Sequence, residues 1–254
     1  MLVIRSLVFN TLFYLYLIGI MIIGLPALII GRRAILVLAN FWSRGSLWLL
    51  RVICHTDVEF RGVEHIPAEP CIIAAKHQSL WDVFAFLGFF YDFTVILKRE
   101  LAWIPLFGWY VLRADLIAIN RSKGHAALNE AKLGAKKAFE HGQSLLIFPE
   151  GTRRPAGAEP SYKFGIAHIY NDNQVPCLPI AHNSGLFWAR RSFIRRPGKI
   201  LVQFLPVIEP GLDRNAFFER LKSELETASN ALIAETLQSN PELRSVLPEN
   251  YSAG

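Results

Sequence analysis

Cysteine is scarce in this chain. Cys54, Cys71 and Cys177 are its only three, and they form no CxxC pair. So few scattered thiols exclude a disulfide framework, argue against a metal site and point to a reducing compartment. Other signatures are missing as well. There is no GxSxG elbow for a nucleophilic serine and no GxxxxGK[ST] loop for a nucleotide. Internal repeats and low-complexity tracts are also lacking. The most informative absence is of charge. From Leu7 to Ile30, "LVFNTLFYLYLIGIMIIGLPALII", none of the 24 positions is charged. As a helix this run reaches about 36 Å at about 1.5 Å per residue, against a bilayer core of about 30 Å. It is too long for the apolar part of a cleavable leader, and no small-residue cleavage site follows. Pro26 is expected to kink it. Arg5 precedes the run, and Arg32, Arg33 and Arg44 follow it. That bias places the remainder of the chain in the cytoplasm.

The next stretch, "AILVLANFWSRGSLWLLRVICH", is apolar but interrupted by Arg44 and Arg51, with Trp42 and Trp48 as interfacial helices carry them. Either one helix spans the bilayer, or two helices dip into one leaflet as a hairpin. The expected division is a membrane anchor over 1–53 and a globular domain over 54–254. The chain has 254 residues, 52% of them apolar, and a net charge of +6. Its mean hydropathy is +0.28 and its pI near 9.3. A basic balance suits nucleic acid, an anionic membrane or a phosphorylated substrate.

Beyond Cys54 the pattern alternates. "TDVEFRG", "PCIIAAK", "FTVILK", "DLIAI", "SLLIFP", "VPCLPIAHN" and "KILVQFLP" read as strands. "SLWDVFAFLGFFY", "WIPLFGWYVLRA" and "KGHAALNEAKLGAKKAFEHG" read as helices, the last stopped by Gly142. Phe217, Leu221, Leu225, Ala228 and Leu232 recur at three- and four-residue spacing and predict an apolar helical stripe. Strands alternating with helices indicate an α/β domain with a mixed, largely parallel sheet flanked by helices.

Two constellations carry chemistry. In "KHQSLWD", His77 and Asp82 are five residues apart, about 140° around a regular helix, and would not share a face. They meet if His77 lies on the turn leaving strand "CIIAAK" and Asp82 in the first turn of the next helix. Asp82 then accepts a proton from one ring nitrogen and leaves the other as a base. Without a serine motif, that base acts directly on a substrate hydroxyl. The competing reading is a surface or capping histidine. In "LLIFPEGTRRP", a buried strand leads into Glu150, Gly151, Thr152, Arg153 and Arg154. Loops at the carboxyl ends of strands are where α/β proteins bind ligands. A glycine for close approach, a hydroxyl and arginine forks form a receptor for a phosphate monoester; the alternative is a solvated charged turn.

With both motifs in view, the chain resembles the glycerolipid acyltransferases, specifically the 1-acyl-sn-glycerol-3-phosphate (lysophosphatidate) acyltransferase family. "HQSLWD" is followed some seventy residues later by "FPEGTRR". Between them, Lys98, Leu101, Pro105, Gly108 and Arg121 in "KRELAWIPLFGWYVLRADLIAINRS" are similar to the family's second block. "VPCLPIAHNSG", centred on Pro179, resembles its fourth. Two departures stand out: Asn120 precedes Arg121 where Asp is usual, and Arg154 replaces a usual Ser. Lys163 and Gly165 match a later Phe-Lys-x-Gly element through "YKFG".

The resemblance implies acyl transfer to the sn-2 hydroxyl of lysophosphatidic acid, forming phosphatidic acid in phospholipid biosynthesis. The donor is a thioester, acyl-CoA or acyl carrier protein (acyl-ACP), and no metal or redox cofactor is implied. It makes His77 and Asp82 catalytic, and assigns Glu150, Gly151, Thr152, Arg153, Arg121, Lys98, Lys163 and Pro179 to substrate binding. In that loop Glu150 is expected to order hydrogen bonds rather than touch phosphate, since like charges repel. The expected partners are membrane lipid, an acyl donor and an anionic membrane surface, not nucleic acid. The expected place is a bacterial inner membrane with the catalytic domain on the cytoplasmic side. Other acceptors (glycerol-3-phosphate or another lyso-lipid), a thioester hydrolase and a non-catalytic lipid-binding protein are the alternatives. The cationic run "ARRSFIRRPGK" is either a solvated loop or a contact for lipid heads or donor phosphates. "WIPLFGWY" is read as core, or else as an acyl groove or membrane-facing rim.

Overall fold

The computed structural model describes residues 1–249 and Tyr251. Nine helices among the described residues are α1 (Leu2–Ile23), α2 (Leu25–Ile30), α3 (Arg32–Cys54), α4 (Asp82–Ala85), α5 (Phe107–Arg113), α6 (His125–Glu140), α7 (Gly165–Asn173), α8 (Ser184–Phe187) and α9 (Arg214–Ser239). The strands are β1 (Thr56–Arg61), β2 (Ile72–Ala75), β3 (Phe93–Lys98), β4 (Ile117–Ile119), β5 (Ser144–Ile147), β6 (Cys177–His182) and β7 (Gly198–Phe204). They form one seven-stranded sheet in the order β1-β7-β6-β2-β5-β3-β4. Every neighbouring pair is parallel except β6 with β7. The mixed, largely parallel sheet expected from the alternating pattern is therefore present.

Side chains alternate across a strand, so each strand feeds two cores. Ile73, Ala75, Leu146, Leu178 and Val202 face the side covered by α1, α3 and α4. Ile72, Ala74, Leu145 and Cys177 face the side covered by α6, α7 and α9. The stripe on α9 is buried at Phe217, Leu221, Leu225 and Leu232, and the Phe217 ring stacks on Tyr170 with centroids 3.8 Å apart. Asp213 caps the helix, its carboxylate accepting from the N–H groups of Asn215 and Ala216 at 2.9 and 3.0 Å.

Three helical expectations change. "SLWDVFAFLGFFY" yields only the one-turn α4 and a 3-10 turn at Leu87–Phe89. Ser79 and Asp82 bond local backbone groups and compete with helix formation. In "WIPLFGWYVLRA", α5 begins only after Pro105, which lacks an N–H and disfavours a helical residue before it. Trp103 and Trp109 are 72% and 57% exposed, so these two rings are not core. Helix α7 forms in a stretch that the sequence assigned to no element, burying Ile166, Ala167, Ile169 and Tyr170 on one side.

The long apolar run breaks where Pro26 and its neighbouring glycine put it. Gly24 ends α1, Pro26 sits in the first turn of α2, and Gly31 (φ +121°) reverses the chain into α3. Helices α1 and α3 then pack as a hairpin. At Gly45 the two helices approach closely, and a Cβ there would meet the end of the Tyr16 ring. Both ends of the hairpin are tied to the domain. The Ser6 hydroxyl accepts from the Arg195 backbone N–H at 2.9 Å. At the turn, Tyr110 donates to the Met21 carbonyl at 2.6 Å and Arg32 pairs with Asp92 at 2.7 Å. Phe9 and Phe13 are buried against Trp188, and Phe13 also meets Trp42 and Phe84. The opposite face of α1 is bare: Leu7, Leu12, Leu15, Ile18 and Ile22 are exposed.

Two outcomes follow for the hairpin. Phe13→Ala should lower stability by about 3–5 kcal/mol, as large-to-small changes at buried aromatics do, read from denaturant midpoints in detergent. Deleting residues 1–50 should uncover Trp188 and Phe84 and give aggregated or non-cooperatively melting protein by size exclusion and circular dichroism.

Candidate active site

Five parallel strands, in the order β6-β2-β5-β3-β4, point the same way. The loops leaving their carboxyl ends hold most of the residues singled out above, as the rule for open α/β sheets requires. His77 follows β2, Glu150 to Arg153 follow β5, Lys98 ends β3 and Arg121 follows β4.

Asp82 is the first residue of α4 and wholly buried. One carboxylate oxygen accepts from the N–H groups of Gln78 and Ser79 at 2.5 and 2.8 Å and from His77 Nδ1 at 3.2 Å. The other accepts from the Ser79 and Ser184 hydroxyls at 2.9 and 2.6 Å. Burial opposes ionisation here. The imidazoles of His182 and His77 and the Ser184 hydroxyl outweigh it and hold the carboxyl below its ordinary range. An ionised carboxylate only accepts, so Nδ1 of His77 must donate and Nε2 keeps a free lone pair. The ring lies on Phe148, centroids 4.1 Å apart and 20° from parallel. The strand-end histidine and first-turn aspartate thus meet as their spacing suggested.

His182 is fully buried at the end of β6. Its Nε2 donates to the Lys76 carbonyl at 2.8 Å. Burial depresses its pKa against the pull of Asp82, and the ring serves as a strut for the strand that leads to His77.

Glu150 is also buried, and orders hydrogen bonds. One oxygen accepts from the His77 N–H at 2.7 Å and the other from Lys76 Nζ at 2.8 Å. The Arg154 N–H donates to the His77 carbonyl at 2.8 Å, so the loop after β5 grips residue 77 on both sides of its backbone. Gly151 adopts φ +67°, where glycine carries no steric cost, and the Lys163 stem passes over it. Arg121 donates to the Gly151 carbonyl. Arg121, Gly151 and Lys163 are therefore brought together, with Thr152 and Arg153 following in the same loop. Lys98 turns to Glu100 at 3.2 Å and is not drawn in. Pro179 is not at this surface. It lies inside β6 level with Ala74, about 10 Å along the strand direction from His77, and supports the sheet.

The cationic run divides. Arg195 is buried with its guanidinium 4.2 Å over the Trp188 ring, and Lys199 pairs with Glu59 at 2.8 Å. Arg190 and Arg191 are exposed, as is Phe193. Several residues of the site carry no signal in isolation. Gln78 and Ser79 stand inside the quoted motif but read as spacers. His182 ends a buried strand and Ser184 opens the short α8. Glu226, which reaches Lys76 at 2.7 Å, reads as the polar face of α9.

Known proteins resemble this chain in sequence and in fold. The family model "Acyltransferase" matches residues 57–183. A 1-acyl-sn-glycerol-3-phosphate acyltransferase of Pseudomonas aeruginosa is 38% identical over 196 residues, 77% of this chain and 75% of that protein. One from Cocos nucifera is 34% identical over 54% of this chain and 46% of its own length. The crystal structure of the 1-acyl-sn-glycerophosphate (LPA) acyltransferase PlsC from Thermotoga maritima superposes with a TM-score of 0.77 at 24% identity, over 92% of this chain and 98% of that one.

Asp82→Asn should cost about 3 kcal/mol, the upper end of the roughly 1.5–3 kcal/mol typical of one charge-assisted hydrogen bond. Because the folded carboxyl is held below its unfolded value, its contribution is complete above about pH 4 and is lost as pH falls through the folded value. Denaturant titrations of both proteins from pH 7 towards pH 3 should show the gap narrowing on acidification. A gap indifferent to pH would mean that the folded and unfolded carboxyls share one pKa, and a gap that widens on acidification would mean that the folded carboxyl is protonated at neutral pH.

Proposed function

The chain belongs to the acyltransferase family, and from that premise we propose that it acylates the sn-2 hydroxyl of 1-acyl-glycerol-3-phosphate to form phosphatidic acid for phospholipid biosynthesis. The donor is a fatty acyl thioester on coenzyme A or acyl carrier protein. The observation that carries the reading is the His77 Nδ1–Asp82 contact lying beside the arginine-bearing loop that grips the same histidine's backbone.

The acceptor hydroxyl attacks the thioester carbonyl carbon while its proton passes to Nε2 of His77. The C–O ester bond forms, the C–S bond breaks, and the proton leaves with the thiolate as free thiol. Base assistance of this kind contributes about 10²- to 10⁴-fold. Asp82 fixes the tautomer and stabilises the imidazolium as it forms. Arg121, Arg153 and Lys163, with Gly151 and Thr152, receive the acceptor phosphate. An arginine fork matches phosphate geometry, and the backbone at Gly151 admits a close approach. Glu150 takes no part in phosphate contact, because both its oxygens are already committed.

For the membrane we favour the hairpin over a single span. Helix α1 is long and apolar enough to cross, with a mean hydropathy of 2.0 over 18 residues. Yet its start is hydrogen-bonded to the Arg195 segment and its end to Tyr110 of the same domain. A helix with both ends on one domain lies along it and dips its bare face into one leaflet. Arg190, Arg191 and exposed Phe193 lie beside its first turns, where Asn10 donates to the Phe193 carbonyl at 3.0 Å, and meet anionic head groups. The compartment is the bacterial inner membrane, with the site on the cytoplasmic side. The three buried free cysteines accord with a reducing environment.

The test is acyl transfer by purified protein in detergent, with both donor types and a panel of acceptors. Lysophosphatidate should yield phosphatidic acid, and glycerol-3-phosphate and other lyso-lipids should react more slowly. Thiol release that ignores the acceptor would make the protein a hydrolase. His77→Ala should lose about 10²- to 10⁴-fold in rate while remaining folded. Arg153→Ala should raise KM for lysophosphatidate by about tenfold or more, the value of one charge-assisted hydrogen bond.

A further inference from the structure

Behind His77 lies a second buried cluster of charges. Lys76 is 5% exposed, and its ammonium touches Glu150 at 2.8 Å, Glu226 of α9 at 2.7 Å and the Tyr162 hydroxyl at 3.3 Å. Tyr162 donates to the same Glu226 oxygen at 2.6 Å, and its ring lies under the ammonium at 5.2 Å. Burial, reinforced by the Glu226 and Glu150 charges, pushes the phenol far above its usual range, so it is a fixed donor. The far oxygen of Glu150 holds the His77 N–H at 2.7 Å. A continuous chain of contacts therefore runs from α9, outside residues 57–183, through Lys76 and Glu150 to the backbone of the proposed base.

The charge count is uneven, one ammonium for two carboxylates. Buried ion pairs are poor sources of net stability compared with apolar packing of the same volume. A glutamine at position 226 would reach Lys76 without a second negative charge at its ammonium. What the uneven arrangement does supply is direction. Drawn by both carboxylates, Lys76 is held between them, and the Glu150 oxygen facing His77 is held with it.

We infer that Lys76, Glu226 and Tyr162 are positioning residues that aim His77 through Glu150, making the carboxyl-terminal helix part of the device that sets the base. The inference rests on the base role proposed for His77. Its signature is a loss confined to turnover. In the full-length protein in detergent, Glu226→Gln should reduce kcat by about 10- to 100-fold, the scale of a small misplacement of a reacting group. KM for donor and acceptor should hold within about twofold, as for an interaction that acts only on the chemical step. Lys76→Arg should restore more activity than Lys76→Met. The double variant Glu150→Gln/Glu226→Gln should be about as slow as Glu150→Gln alone, because the two act in series.

Unchanged kcat in Glu226→Gln overturns the inference, and so does a double variant whose loss is the product of the two single losses. Should Glu226→Gln melt below the assay temperature, Tyr162→Phe supplies the same readout, and a full kcat there overturns it equally. A fully active His77→Ala protein removes the base reading itself. A full-speed Glu226→Gln protein beside an inactive His77→Ala one removes only this inference.

Discussion

A carboxylate taken out of water must be surrounded by donors or give up its charge. Asp82 is wholly buried and gathers two backbone N–H groups, two hydroxyls and an imidazole. Satisfying it dictates much of the local architecture. The chain after β2 has to curl so that the amides of Gln78 and Ser79 point at one oxygen. Helix α4 starts at the aspartate, and α8 delivers the Ser184 hydroxyl to the other oxygen. His77 is then the one member of the shell with a second nitrogen to offer a substrate.

Glu150 meets the same demand differently. It has few donors available at the end of β5, so it uses a lysine and the amide of His77. Both buried carboxylates therefore act on residue 77, one on its ring and one on its backbone. The result is a histidine with little freedom to move, which suits a group that must meet a transient geometry.

Much of this was legible in the sequence because it was local. Hydrophobic alternation located all seven strands, since buried parallel strands are short apolar runs between turn residues. The pairing of His77 with Asp82 could be anticipated because strand, turn and helix start are contiguous. Two tryptophans, at 103 and 109, defied the core reading because aromatic content alone does not distinguish a protein interior from a face turned outward. What escaped was long-range. Lys76 and Glu226 are 150 residues apart and meet only once α9 has crossed the sheet. Ser184 reaches Asp82 across a separation of 102 residues. No periodicity encodes such contacts, and a glutamate on an amphipathic helix has the same signature whether it faces solvent or a buried lysine.

The aromatic contact of Phe9 and Phe13 with Trp188 also bears on how the chain is made. The first helix leaves the ribosome long before the residue that covers its inner face. Throughout that interval Trp42 of α3 and Phe84 of α4 can cover part of that face, while the part that Trp188 closes stays open. The Trp188 segment therefore closes the interior late, over a helical hairpin whose two arms were made first.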